Sequence, residues 1–181
     1  MGLDMYLEKK TYVKNWDYKG ADNHKIKITK NGKKTGIDEK KVSHVIEEAG
    51  YWRKANHIHN WFVQNVQEGD DNCGLYYVSQ ENMEELLGLV NEVLENSKLV
   101  KGKVIRSWSF DKNGEKLPNY QEGKNIKDPS KAKELLPCQE GFFFGNDEYD
   151  EWYYNGLVET KKILEEAMED EDADYYYQSS W

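Results

Sequence analysis

The chain has 181 residues, a net charge of −9, 13% aromatic and 33% charged side chains, and two cysteines. That is the size of one domain. The aromatic content excludes a disordered chain, and two distant cysteines, Cys73 and Cys138, exclude a disulfide framework or a zinc pattern.

In chain order, LDMYLEKKTYV opens with Leu3, Met5 and Leu7 at alternate positions, the period of a half-buried strand. HKIKITKNGKKTGI sets Ile26 and Ile28 against Lys25 and Lys27 and turns at Asn31-Gly32, a favoured hairpin dipeptide. KKVSHVIEEA fits strand or helix, with strand preferred. In GYWRKANHIHNWF, residues 50–62, and on to Val66, Trp52, Ala55, Ile58, His59, Phe62, Val63 and Val66 step by three and four and share one helical face. LYYV (75–78) reads as a strand. Ser79 caps a second amphipathic helix marked by Met83, Leu86, Leu87, Val90, Val93 and Leu94. KVIRSWSFDKNGEKLP reads as a strand, a turn at Asn113-Gly114 and a short second arm. Residues 118–137 read as a loop with one short helix from Pro129 to Leu136. GFFF (141–144) reads as a buried strand. A third helix follows, entered through GNDEYDEW, with Tyr149, Trp152, Tyr153, Leu157, Thr160, Ile163, Leu164 and Ala167 in phase. The expectation is a single α+β domain over residues 1–168, with a mostly antiparallel sheet and about three main helices. Residues 169–181 then form a mobile acidic and aromatic tail.

Charge is unevenly spread. Residues 1–60 carry 13 Lys/Arg against 8 Asp/Glu, whereas residues 139–181 carry 2 against 13. An acidic end repels nucleic acid and attracts a basic surface; it also simply keeps a protein in solution. MGLDMYLEKK lacks the basic and apolar regions of a signal peptide, and no window approaches the roughly 20 apolar residues of a membrane span. A protein of a reducing compartment, with no membrane partner, is expected.

Within the opening aromatic helix, His57, Lys54 and Trp61 fall on the face opposite Trp52, Asn56 and His59. Histidines at i and i+2 do not converge on one metal from a helix, which needs i and i+4; no metal or cofactor is expected. Asn56 and His59 read as satisfied core polar groups, or, with Arg53, as the rim of a small-ligand pocket. Trp61 reads as exposed beside cations, as interface residues are, or as covered by another part of the chain. Asp147, Asp150 and Glu151 suit either a magnesium site or the dipole of a helix start. Cys73 in DDNCG and Cys138 after Pro137 lack the cationic surroundings of a nucleophile.

The blocks MGLDMYLEKKTYVKNWDY, GYWRKANHIHNWFVQNVQEG, YYVS and GFFFGNDEYDEWYY resemble a family of small proteins of Firmicutes phages and prophages. The family includes an anti-CRISPR inhibitor of the type II-A RNA-guided DNA nuclease. The resemblance runs from residue 1 to about 165 and implies a stoichiometric, non-enzymatic binder in the bacterial host cytoplasm, with no catalytic residues to carry over. Partner contacts are then expected at Trp61, Tyr149, Trp152, Glu169, Asp170, Glu171, Asp172, Asp174, Tyr175, Tyr176 and Tyr177, with carboxylates standing where phosphates sit in a basic channel. Lys25, Lys27, Lys33 and Lys34 would contact nucleic acid. Two alternatives stay open: a nucleotide-signal binder built on Trp52, Arg53, Asn56 and His59, and a metal-dependent hydrolase using Asp147, Asp150 and His59.

Overall fold

A computed structural model describes residues 2–15, 24–141, 144–170 and 172–181. It is an α+β fold whose main sheet is antiparallel. The strands are β1 (Asp4–Tyr12), β2 (Thr29–Lys30), β3 (Lys33–Lys34), β4 (His44–Arg53), β5 (Tyr76–Val78), β6 (Leu99–Phe110), β7 (Lys116–Ile126) and β8 (Asp174–Ser180). The helices are α1 (Asn56–Asn65), α2 (Gln80–Asn96), α3 (Ser130–Leu135) and α4 (Glu151–Ala167).

The main sheet has the order β4-β1-β8-β5. Its inward face follows the period of two: Met5 and Leu7 of β1, Trp52 of β4, Tyr175 and Tyr177 of β8 and Val78 of β5 are all buried. The helices cover this face. Phe62 of α1 stacks on Tyr177 with ring centroids 4.0 Å apart. The Trp52 indole N–H donates to Thr160 of α4 at 2.9 Å. Tyr175 donates to the carbonyl of Ala167. Two hairpins stand apart from this sheet, β2–β3 turning at Asn31-Gly32 and β6–β7 turning after Asp111. Ser79 and Asn82 form a reciprocal capping box that starts α2. Among the described residues no helix is long and apolar enough to cross a membrane.

Several expectations are corrected. The tail expected to be mobile is instead β8, an inner strand hydrogen-bonded to β1 on one side and β5 on the other. Its burial alternates, with Tyr175, Tyr177 and Ser179 inward. Trp52 belongs to β4 and not to the following helix, which starts only at Asn56. Residues 118–126, expected as loop, continue β7. Phe144 is buried outside any strand, while Phe142 and Phe143 of the expected GFFF strand lie outside the described residues.

Candidate functional site

Helix α1 is sunk on nearly every side. Asn56, His57, Ile58, His59, Trp61, Phe62 and Val63 are all buried. Trp61 is 5% exposed, so it is no partner contact; it packs edge-on against Phe62 within the core. His57 is likewise internal. Its ring lies 4.1 Å from that of Tyr153 and rests against Gly156, where any Cβ would come within 3.2 Å of it. Burial alone pushes its pKa down to about 3.

His59 points the other way. Its Nε2 is 3.0 Å from the Asp71 carboxylate and its Nδ1 2.7 Å from the Tyr177 hydroxyl. The arrangement suits a neutral ring donating to Asp71 and accepting from Tyr177, and burial lowers its pKa against the pull of Asp71. Asp150 caps α4 by accepting from the N–H groups of Trp152 and Tyr153. The hydrolase constellation of Asp147, Asp150 and His59 is thus not assembled. Among the described residues no three His, Cys, Asp or Glu side chains gather to hold a metal ion.

The residues expected at a pocket rim do not all come together. Arg53 and Asn56 do line an open cleft of about 1320 Å³ between the end of β4, the start of α1, the β6–β7 hairpin and the first half of α4. His59 is not part of it. Sequence reasoning missed Arg106, Trp108 and Phe110 of β6, which line the opposite wall. Trp152, 62% exposed, stands at the α4 side. Lys54, also in the lining, holds a left-handed backbone with φ 59° at the joint of β4 and α1, an uncommon conformation for a side-chain-bearing residue.

The other expected contacts divide. Tyr175 and Tyr177 are buried, and Tyr176 is half-buried beside Tyr77, with Lys10 over its ring. Tyr149 is half-buried and accepts from the Cys138 backbone N–H. Asp170 is bound to Lys9 at 2.6 Å, an ion pair that holds its carboxyl below the usual range. Glu169, Asp172 and Asp174 are exposed; Glu171 lies outside the described residues. Lys25, Lys27, Lys33 and Lys34 are all exposed, the last two on β3.

Acidic side chains are concentrated on α2. Helix α2 carries Glu81, Glu84, Glu85, Glu92 and Glu95, all exposed, and no Lys or Arg. Helix α4, packed beside it, adds Glu159, Glu165 and Glu166, with Lys161 and Lys162 facing the last two. Basic side chains on the two hairpins include Lys30, Lys33 and Lys34 on one and Lys101, Lys103 and Arg106 on the other. No known protein family, curated protein or solved structure matches the chain.

Proposed function

We propose that the protein is a non-enzymatic inhibitor that docks its acidic helix layer against a positively charged macromolecule. The partner that its resemblance to phage proteins singles out is the type II RNA-guided nuclease, whose guide and target lie in basic channels. The observation that carries this reading is the outer face of α2. Helix stability accounts for Glu81, in the first turn, and for Glu84, which accepts from Gln80 at 3.0 Å, but not for the spacing of the others. Glu81 and Glu85 repel one another at i,i+4. Glu92 and Glu95 stand near the C-terminal end, where the helix dipole disfavours an anion by roughly 0.3–1 kcal/mol.

Glu81, Glu85, Glu92 and Glu95 follow one stripe, about 21 Å long at the helical rise. Among the described residues, only Glu92 in this stripe meets a cation, Lys131 at 3.2 Å. Such a row stands in for the phosphates of one strand. The docking expected of the C-terminal residues therefore moves to α2, because their tyrosines are spent on the sheet and Asp170 on Lys9. The exposed lysines of β2–β3 are free to meet nucleic acid held by the same partner.

The test is DNA cleavage by a purified type II effector–guide complex titrated with the protein. Inhibition should saturate near one equivalent and weaken with salt. A quadruple Glu81→Gln, Glu85→Gln, Glu92→Gln, Glu95→Gln variant should inhibit at least tenfold less well. Undiminished cleavage at tenfold excess of wild type, or full inhibition by the quadruple variant, would overturn the reading.

A further inference from the structure

We propose that the outer face of the main sheet is a second docking surface, for an arginine-bearing segment of another protein, with Glu8 and Glu48 as the seat of a guanidinium. The helices cover one face of this sheet, and the side chains that alternate with the inward ones project to the other. Two rows cross the strands side by side on that outer face. One joins Tyr51 of β4 to Tyr6 of β1. The other runs from Glu48 of β4 through Glu8 of β1 and Tyr176 of β8 to Tyr77 of β5. Ala49, the extra residue of a bulge, lies between the rows on β4. None of these six outward side chains is buried, and Tyr51 and Tyr77 are 36% and 56% exposed.

The charges of this face are matched across the ladder except at one place. Asp4 stands opposite Arg53, and Lys10 opposite Asp174, each an acid across from a base. Between them Glu8 stands opposite Glu48. Like charges directly across a ladder destabilise a sheet. Among the described residues neither glutamate side chain has an ion-pair or hydrogen-bond partner. Directly opposed side chains leave the backbone about 5 Å apart, so one planar guanidinium with its five N–H donors reaches both carboxylates. An ammonium is a compact point charge without that fork.

The rings on either side of the acid pair suit the same ligand. Tyr6 and Tyr51 lie with centroids 5.4 Å apart, and Tyr77 meets Tyr176 edge-on at 5.8 Å. Cations, guanidinium above all, are attracted to aromatic faces. This face already holds one in that way, with the Lys10 ammonium 5.5 Å from the centroid of Tyr176. Other occupants fit less well. Nucleic acid would stack on the rings but bring its phosphates to two carboxylates. A second copy docked through the same face would bring four glutamates together, because a two-fold contact sets a patch against itself. An apolar partner would bury both glutamates without a counter-charge.

The experiment titrates a fluorescently labelled peptide of alternating threonine and arginine with the full chain, following anisotropy, beside the same peptide with lysine for arginine and the oligonucleotide dA12. Saturable binding of the arginine peptide, at least fivefold tighter than of the lysine peptide, is the expected result. Glu8→Gln and Glu48→Gln should each weaken it about fivefold or more. Both variants should unfold thermally at or above the wild-type temperature, since each removes a like-charge contact. The quadruple glutamine variant of α2 should bind the arginine peptide as wild type does. Absence of saturable binding at millimolar concentration, equal affinity for the lysine peptide, or wild-type affinity in both Glu8 and Glu48 variants overturns the proposal. So does loss of binding in the α2 variant alone, or tighter binding of dA12 that weakens in Tyr51→Leu. Neither Glu8 nor Glu48 belongs to α2, so the reading of the acidic helix stands or falls separately, on nuclease inhibition.

Discussion

His57 makes folding stability depend on pH in a way that can be calculated. Its ring is 3% exposed, is packed on Tyr153 and Gly156, and has a pKa lowered from 6.5 to about 3 by burial. Between those values the unfolded chain binds a proton that the folded chain refuses. The contribution of the neutral ring is therefore complete above pH 6.5 and shrinks as pH falls, by about 1.4 kcal/mol per pH unit. Integrated from pH 8 to pH 5, the loss is about 2 kcal/mol. His59 adds to it in the same sense, since burial lowers its pKa too. Asp150 works against it, because burial raises that carboxyl and protonation then favours the folded state. Comparing wild type with His57→Phe isolates the one ring, since both chains keep the other groups. Urea unfolding at pH 8, 7, 6 and 5 should give a difference in stability that changes by about 2 kcal/mol in favour of the variant across the series, whatever its offset at pH 8. Parallel pH profiles, or an imidazole resonance of His57 in wild type titrating near 6.5, would refute the reasoning.

Three further outcomes follow from individual contacts. Gly50→Ala places a methyl group on Ile163 of α4 and should cost about 1–3 kcal/mol in urea unfolding; a loss under ~0.5 kcal/mol would contradict that overlap. Asp150→Ala removes the acceptor for two N–H groups at the start of α4 and should cost about 1 kcal/mol. Asp150→Asn keeps an acceptor, drops the buried charge and should cost less than the alanine variant in the same assay. Burial pushes the Cys138 thiol up to about 12, so iodoacetamide at pH 8 should leave it unmodified by mass spectrometry until denaturant is added.

The sequence was most legible where periodicity and end signals agreed. Ser79 ahead of an apolar 3.6-residue period defines α2, and Leu3, Met5 and Leu7 define β1. It misled where a residue fitted two periods. Trp52 is in phase with His59 and Phe62 as though on one helix, yet it is an inward residue of a strand that ends one position later. The outward face assigned to His57 and Trp61 assumed that one side of α1 meets water; a helix with aromatic rings at every phase is covered all round. The alternation in DYYYQSS was present, but three adjacent tyrosines behind an acidic run hid it. Polar β7, with Pro118 within it, carries no apolar period at all. Arg53 and Asn56 could be marked from local pattern. Trp152 could be marked as an exposed contact but not as part of this cleft, and Arg106 and Trp108 could not be marked, because only the fold brings residues so distant in sequence to one cleft.

The position of β8 governs when the protein can form. Strand β1 needs a neighbour on each side, and one of these is made of residues 174–180, so Asp4 pairs with Ser180. A nascent chain still lacking that segment holds Met5 and Leu7 on a sheet whose next strand has not been translated. Closing a segment of this length costs on the order of 4–5 kcal/mol in chain entropy, and such distant pairing slows the search. Synthesis must therefore reach the final tyrosines before the first strand is locked. Until then the half-built sheet offers an open edge that other polypeptides, chaperones included, are able to engage.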